Sequence, residues 1–439
     1  MGEENESYDG SMLPARALWK PILQKWITGR GRRFRMRPET PPIAPGLQHL
    51  GLYLHVPFCT SLCPFCPYNR CRYEVDLFAR YRRAVSQEIS LCASELGTPT
   101  IDSLYVGGGT PTVNREGLVD ILSELDETFG LDCDICVELH PSHMADDDLK
   151  ALKHAGVTLL SVGVESTDDE ILGHIGRSHS GGEALGALER ARRIGFSTIN
   201  ADLMFALPRQ RLEHWRRDVD RVLATGVDQL STYPMFTFPY SDRGLERGTR
   251  VVERPSGRTI RAMLAYTDEA CRARGLERCA VWSWKRPQHS KFSSITRHHY
   301  LGFGPSAASM DGAHFWVNTF DVEAYVETLP ERRPVALAMP VNRRLEMAYW
   351  LYWRVYELAA EDNDFRRLFG ENDGLRSRFG TLFTPVRAAG LAARTSTGYA
   401  ITTAGAYWIH RLQNEYSLSY MNRLWGTCRR NAWPEEAVL

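Results

Sequence analysis

From about residue 50 the chain alternates short apolar runs with longer amphipathic ones, and that rhythm limits the fold more than any single residue does. GLYLHVPF reads as a buried first strand ending at Cys59. The spacing of apolar residues predicts a helix from about Val75 to Leu96, the strand IDSLYVGGG and the helix EGLVDILSELDETF. The strand DICVELHP comes next, then the helix DDDLKALKHAG, closed by Gly156 at its C-cap. VTLLSVGVES, STINADLMFALP and VDQLSTYPMF are further strands, separated by the helices GGEALGALERARRIGF, with Gly195 at its end, and LEHWRRDVDRVLATG. Strands joined through helices must run parallel, and so many units in series predict an α/β barrel or partial barrel, with a doubly wound open sheet as the alternative.

The pattern also divides the chain. Residues 1–45 read as an extension, because GRGRRFRMRPETPPIAPG combines five arginines and four prolines with no apolar periodicity. A polyanion-binding arm is the alternative there. Residues 46–335 form the barrel unit, and residues 336–439 a smaller α+β unit of winged-helix type. In the latter, NRRLEMAYWLYWRVYEL is a helix, and a short hairpin leads into aromatic-rich helices. The 53 basic and 53 acidic residues cancel, so nothing global draws the chain to nucleic acid or an anionic membrane. No apolar run reaches the ~18–20 residues of a membrane span, and MGEENESYDG has no apolar core of a secretory signal. The expected location is the cytoplasm, where clustered cysteines bind metal more often than they form disulfides.

HVPFCTSLCPFCPYNRC places Cys59, Cys63 and Cys66 in C-x3-C-x2-C spacing where the first strand ends. Zinc is one candidate, but structural zinc sites pair C-x2-C with a second pair elsewhere. Three thiolates in the loop that opens a βα unit suit an iron–sulfur cluster better, since three ligands for four irons leave one iron open.

That motif, with Phe65 just before its third cysteine and GGGTP about forty residues on, resembles the radical S-adenosylmethionine (SAM) superfamily. More narrowly, the run from Tyr53 to about Ser309 is similar to the oxygen-independent coproporphyrinogen III dehydrogenase (HemN-like) type, through YLHVPFC, LYVGGGTPT, DLMFALPRQ and YLGFGPSA. The resemblance implies a partial (β/α)6 barrel with a [4Fe–4S] cluster on Cys59, Cys63 and Cys66. The open iron would be chelated by SAM, whose reductive cleavage yields a 5′-deoxyadenosyl radical. Gly107, Gly108 and Gly109 lack a Cβ, so backbone can approach the ligand and offer N–H groups; a plain tight turn is the bland reading.

The subgroup is similar to enzymes that hold two SAM molecules. Its pattern carries Phe65, Gly108, Glu138 and Phe236 to the first, and Gly109, Thr110, Glu165, Arg177 and Asp202 to the second. Glu165, Arg177 and Tyr233 are the implied catalytic groups. Glu165 departs from the pattern, which has Gln there, so the second site is expected to differ. Glu138, Glu165 and Asp202 all fall near the C-terminal ends of predicted strands, the catalytic face of such barrels; a loop carboxylate or helix cap is the alternative for each. Cys71 lies beyond an intervening PYNR and is not expected to ligate, and Cys133 and Cys136 read as buried strand cysteines. His298 and His299 read as loop histidines, with substrate or haem contact as the sharper alternative. Trp282, Trp284 and Lys285 either line the substrate end or pack.

Three functions are open on this reading. The first is methyl or methylene transfer to an sp2 carbon, as in the class C radical SAM methylases and cyclopropanases of natural-product pathways. CPFCPYNR, the chain ahead of Tyr53 and the tail YWIHRLQNEYSLSYMNRLWGTCRRNAWP lean that way. It calls for a small unsaturated or aromatic substrate, a flavodoxin- or ferredoxin-like reductant and a second pathway enzyme for ring closure. The second is coproporphyrinogen decarboxylation or anaerobic haem opening, with Lys285, Arg286, Lys291 and Arg297 as a basic pocket for substrate carboxylates. The third is a haem chaperone on the same fold, using His298 or His299 as haem ligand.

Overall fold

The computed structural model describes residues 33–235, 255–293 and 298–439, with the backbone alone for 409–418. Six strands pair side by side in chain order, all parallel: β1 (His49–Val56), β2 (Thr100–Gly108), β3 (Asp134–Leu139), β4 (Leu159–Glu165), β5 (Thr198–Phe205) and β6 (Gln229–Pro234). The order never reverses. A doubly wound sheet requires a reversal, so the partial-barrel reading holds. The helices between the strands are α1 (Val75–Glu95), α2 (Arg115–Phe129), α3 (Asp146–His154), α4 (Asp169–Ile175), α5 (Gly181–Ile194) and α6 (Leu212–Ala224). Only α4 was not expected. It is seven residues long, too short for a periodic signal, and starts where the Asp168 carboxylate accepts from the N–H groups of Glu170 and Ile171.

The sheet extends at both edges. Beyond β6 lie two antiparallel strands, β7 (Glu277–Ala280) and β8 (Ser283–Lys285), with α7 (Gly257–Ala273) leading into them. Beyond β1 lies β9 (Tyr300–Phe303), still parallel, then β10 (Ala308–Met310), β11 (His314–Asn318) and β12 (Val335–Pro340), all antiparallel, with α8 (Val322–Thr328) between the last two.

Residue parity sets the character of the barrel. Alternate residues such as Leu52, Leu54, Leu104, Val106, Val137, Leu160, Val162, Ala201 and Leu203 pack against the helices in the main apolar core. Their neighbours in sequence therefore point to the other face. Those neighbours include Tyr105, Glu138, Ser161, Glu165, Asn200, Asp202, Ser231 and Tyr233. The inner face of this barrel is polar, unlike a packed TIM interior.

The chain after residue 340 forms α9 (Arg343–Tyr356), α10 (Asp362–Phe369), α11 (Leu375–Ala388) and α12 (Thr403–Arg430), with a three-stranded sheet of β13 (Ala359–Glu361), β14 (Ala392–Arg394) and β15 (Gly398–Ile401). The expected hairpin is there, but it leads into one 28-residue helix rather than several. A second apolar cluster holds Trp350, Phe365, Phe369, Phe379 and Tyr399. α9 bridges the two edges of the parallel sheet: the Tyr349 hydroxyl donates to that of Tyr300, and Val281 N–H donates to the Tyr356 carbonyl. Among the described residues no helix is long and apolar enough to cross a membrane.

Candidate active site

The cysteine loop is built on the end of β1. A two-residue parallel ladder joins Phe58–Cys59 to Cys71–Arg72, so the loop leaves and returns beside itself. His55 reaches under it, its Nε2 2.8 Å from the Asn69 carbonyl and its Nδ1 2.8 Å from the Tyr53 hydroxyl. Burial pulls that imidazole down to about 4, so it is neutral at physiological pH. Arg429, near the end of α12, donates to the Pro67 carbonyl at 2.8 Å. Cys71 lies in the ladder, its N–H bonded to the Pro57 carbonyl.

Cys59 is buried, and Cys63 and Cys66 are half-buried. Burial raises the Cys59 thiol and pushes Cys66 up to about 11, while Arg70 draws both back. Arg177 Nη1 donates to Cys63 Sγ at 3.7 Å, and Thr110 Oγ1 donates to Cys59 Sγ at 3.7 Å. The donor set fits an iron–sulfur cluster. All donors are thiols, two guanidiniums stand by to offset a net negative group, and Arg177 Nε is buried with no hydrogen-bond partner.

The glycine turn after β2 packs closely against the cysteine strand. Gly109 N–H donates to the Val56 carbonyl and Thr110 N–H to the Phe58 carbonyl, both at 2.8 Å, and Gly108 N–H points at Glu138 Oε2 at 3.3 Å. The Gly109 and Thr110 amides brace the cysteine strand, and the Gly108 amide faces the Glu138 carboxylate. A Cβ on Gly109 would lie 2.6 Å from the Phe58 carbonyl oxygen and 2.9 Å from Cys59 Sγ, and one on Gly107 would meet Glu138 Oε2 at 2.8 Å.

Around the mouth, the inner face converges three carboxylates. Glu138 accepts from the Tyr105 hydroxyl. Asp202 accepts from Ser161 Oγ and from Asn200 Nδ2 at 3.0 Å. Glu165 ends β4 with φ 63°, a left-handed conformation a Glu adopts only when its surroundings force it. The register shift between Gly163 and Glu165 accompanies that twist. Burial raises all three acids, Asp202 to about 7, and each of Glu138 and Asp202 also feels Glu165. Arg177 offsets Glu165 from 3.8 Å and donates to the Gly163 carbonyl at 2.5 Å. It arrives there from the end of α4, where Gly176 lets Pro64 of the cysteine loop approach: a Cβ would be 2.7 Å from Pro64 Cδ. Phe65 packs beside Ile171, Leu172, Met204 and Met235. Tyr68 and Tyr233 are 49% and 39% exposed, and burial of the phenols, with the Asp202 carboxylate adding to it, raises both hydroxyls. Carboxylates so placed can accept from a cationic, hydroxyl-bearing ligand next to the thiols. Phe236 and Arg297 lie outside the described residues.

The structure brings together Phe65, Gly107 to Thr110, Glu138, Glu165, Arg177, Asp202 and Tyr233 around the three cysteines. Sequence reasoning missed Tyr68, Arg70, Tyr105, Ser161 and Asn200. Parity was the available signal, because Tyr105, Ser161 and Asn200 share the inner face with the acids. Among the described members of the expected basic pocket, Lys285 Nζ donates to the carbonyls of Arg286, Pro287 and His289, and Lys291 pairs with Glu357. Trp282 and Trp284 are 3% and 1% exposed and pack in the core. Cys136 is buried among inner-face residues while Cys133 packs on the helix side, so the pair faces opposite ways. His298 and His299 share the Glu346 carboxylate.

The family model described as the radical SAM superfamily matches residues 53–222. A heme chaperone, HemW, from Mycobacterium tuberculosis is 30% identical over 322 residues, covering 67% of this chain and 79% of that protein. An oxygen-independent coproporphyrinogen III oxidase from Salmonella typhimurium is 28% identical over 305 residues, covering 64% and 66%. The solved coproporphyrinogen III oxidase (HemN) from Escherichia coli superposes with a TM-score of 0.72 at 23% identity, over 84% of this chain and 90% of its own. These findings overturn the expected methyl or methylene transfer in a natural-product pathway, and with it the methyltransferase and cyclopropanase assignments and the second enzyme for ring closure. That expectation rested on CPFCPYNR, the chain ahead of Tyr53 and the tail, stretches that weigh less than likeness over about 300 residues.

Proposed function

The chain belongs to the radical SAM superfamily, in its HemN-like family, and from that premise we propose that it is a SAM-cleaving oxidoreductase acting on a tetrapyrrole. The observation that carries this reading is the polar inner face: three buried acids and one guanidinium converge beside the thiols. When bound, a [4Fe–4S] cluster and SAM supply the electron and the carbon-centred radical. The chain holds and orients them. Cys59, Cys63 and Cys66 ligate the cluster. Glu138, fixed by Tyr105, accepts from the amino group of SAM, and Phe65 packs against it from the apolar pad. A second SAM is assigned to Arg177, Glu165 and Asp202, with Arg177 clamping its carboxylate in two-pronged fashion. Tyr233, on the inner face, is assigned to contact substrate, and flavodoxin or ferredoxin to reduce the cluster.

Anaerobically reconstituted protein with SAM and dithionite is expected to form 5′-deoxyadenosine without S-adenosylhomocysteine, faster with coproporphyrinogen III or haem present. Formation of S-adenosylhomocysteine, or no cleavage at all, refutes the reading. Equilibrium dialysis should count two SAM per chain in wild type and one in Arg177→Lys, whose point charge cannot form the fork.

The 30% identity to a haem chaperone favours a second reading, haem binding without turnover. Stoichiometric haem uptake with a Soret band, and no stimulation of SAM cleavage by either tetrapyrrole, would select it.

A further inference from the structure

His298, His299 and Glu346 form a cluster that the active-site reading does not use. They sit at the opposite end of the barrel from the thiols. His299 immediately precedes β9, whose Tyr300 pairs with Gly51 near the start of β1, whereas the cysteines follow the end of β1. Glu346 arrives from the first turn of α9.

Both imidazole Nε2 atoms lie 2.9 Å from the same carboxylate oxygen, Glu346 Oε1, and all three donor atoms lie within 4.8 Å of one another. Donors on a tetrahedral zinc-class ion stand about 3.3 Å apart, so binding would spread these contacts by only a few tenths of an ångström. The side chains are 11%, 22% and 16% exposed, a shielded but reachable setting. A plain pair of hydrogen bonds to one carboxylate accounts for the two contacts but not for their surroundings. Among the described residues His298 Nδ1 is buried without a hydrogen-bond partner, so only the Nε2 contact to Glu346 sets its tautomer. Gly312 also leaves room directly over the donors: a Cβ there would stand 2.8 Å from His299 Nε2 and 3.2 Å from Glu346 Oε1.

We propose that His298, His299 and Glu346 bind one divalent transition-metal ion of the zinc class, tying α9 to the barrel edge. Two imidazoles and a carboxylate suit zinc or iron(II) better than calcium or magnesium, which take oxygen ligands. On binding, each ring moves its proton from Nε2 to Nδ1 and gives the freed nitrogen lone pair to the ion. Three protein ligands leave a position for water on the Gly312 side.

The test uses tag-free protein carrying its cluster, equilibrated with micromolar Zn²⁺, desalted, and assayed for zinc, iron and sulfide. One zinc per chain is expected in addition to unchanged iron. Glu346→Gln and His299→Ala should each bind zinc at least tenfold more weakly with iron and sulfide unaltered, which shows that the fold persists. Zinc should also slow amide exchange across 343–356 in wild type alone. Absence of zinc from wild type, displacement of cluster iron by zinc, or retention of zinc by both variants overturns the proposal.

Discussion

Glu88 lies on α1 at 2% exposure, and every partner it has comes from far along the chain. Gly304 N–H donates to it at 2.8 Å, Asn318 Nδ2 at 2.6 Å, and the Tyr325 hydroxyl completes the set. Burial still wins and pushes its carboxyl up to about 7, from 4.5. The folded state therefore binds the proton more tightly than the unfolded chain. This stabilisation is fully present below about 4.5 and is lost as pH rises through about 7, amounting to roughly 3 kcal/mol. Urea unfolding of wild type and Glu88→Gln across pH 5 to 8 should show their stability gap moving in the variant's favour by up to that amount; a constant gap contradicts the assignment. In the sequence Glu88 is one polar residue on an amphipathic helix, and nothing local marks it as buried. Glu165 is similar, since its left-handed backbone arises from the register shift beside Gly163 and not from VGVES.

Among the elements, those with a long period were readable. The strands and the helices of nine residues or more up to β6 fall where apolar spacing puts them, because each presents one face to the same core. α4 was not readable, yet it is the element whose C-terminal turn brings Arg177 against the cysteine loop. The GGG turn was readable as a close approach but not as a brace. Gly109→Ala tests that role. Its φ is not in the left-handed region, so the perturbation is the Cβ itself, 2.6 Å from the Phe58 carbonyl oxygen and 2.9 Å from Cys59 Sγ. We expect Gly109→Ala to fold, with circular dichroism unchanged, and to retain less than half the wild-type iron after reconstitution. Full iron loading would mean that the turn does not set the position of Cys59.

Over the whole molecule, the cysteine loop is held from the far end of the chain. Arg429 donates to the Pro67 carbonyl across 362 residues of sequence, and Leu424 and Cys428 pack with Met36, Val317 and Leu337 against the sheet edge. Removing that donor leaves a carbonyl short of its partner, at about 1–3 kcal/mol. Arg429→Ala should therefore release iron to a chelator several-fold faster than wild type; an equal rate means that the tail does not stiffen the loop. By itself the sequence determined the βα series, the thiol triad and the glycine turn, because all three are written in local spacing. Only the tertiary structure decided that the barrel lining is polar, that Arg177 reaches the thiols and Arg429 the loop that carries them, and that His298, His299 and Glu346 meet, because those contacts depend on where separate elements end in space. The family signature is carried by local motifs, while the choice among its chemistries depends on a cavity that no contiguous stretch encodes.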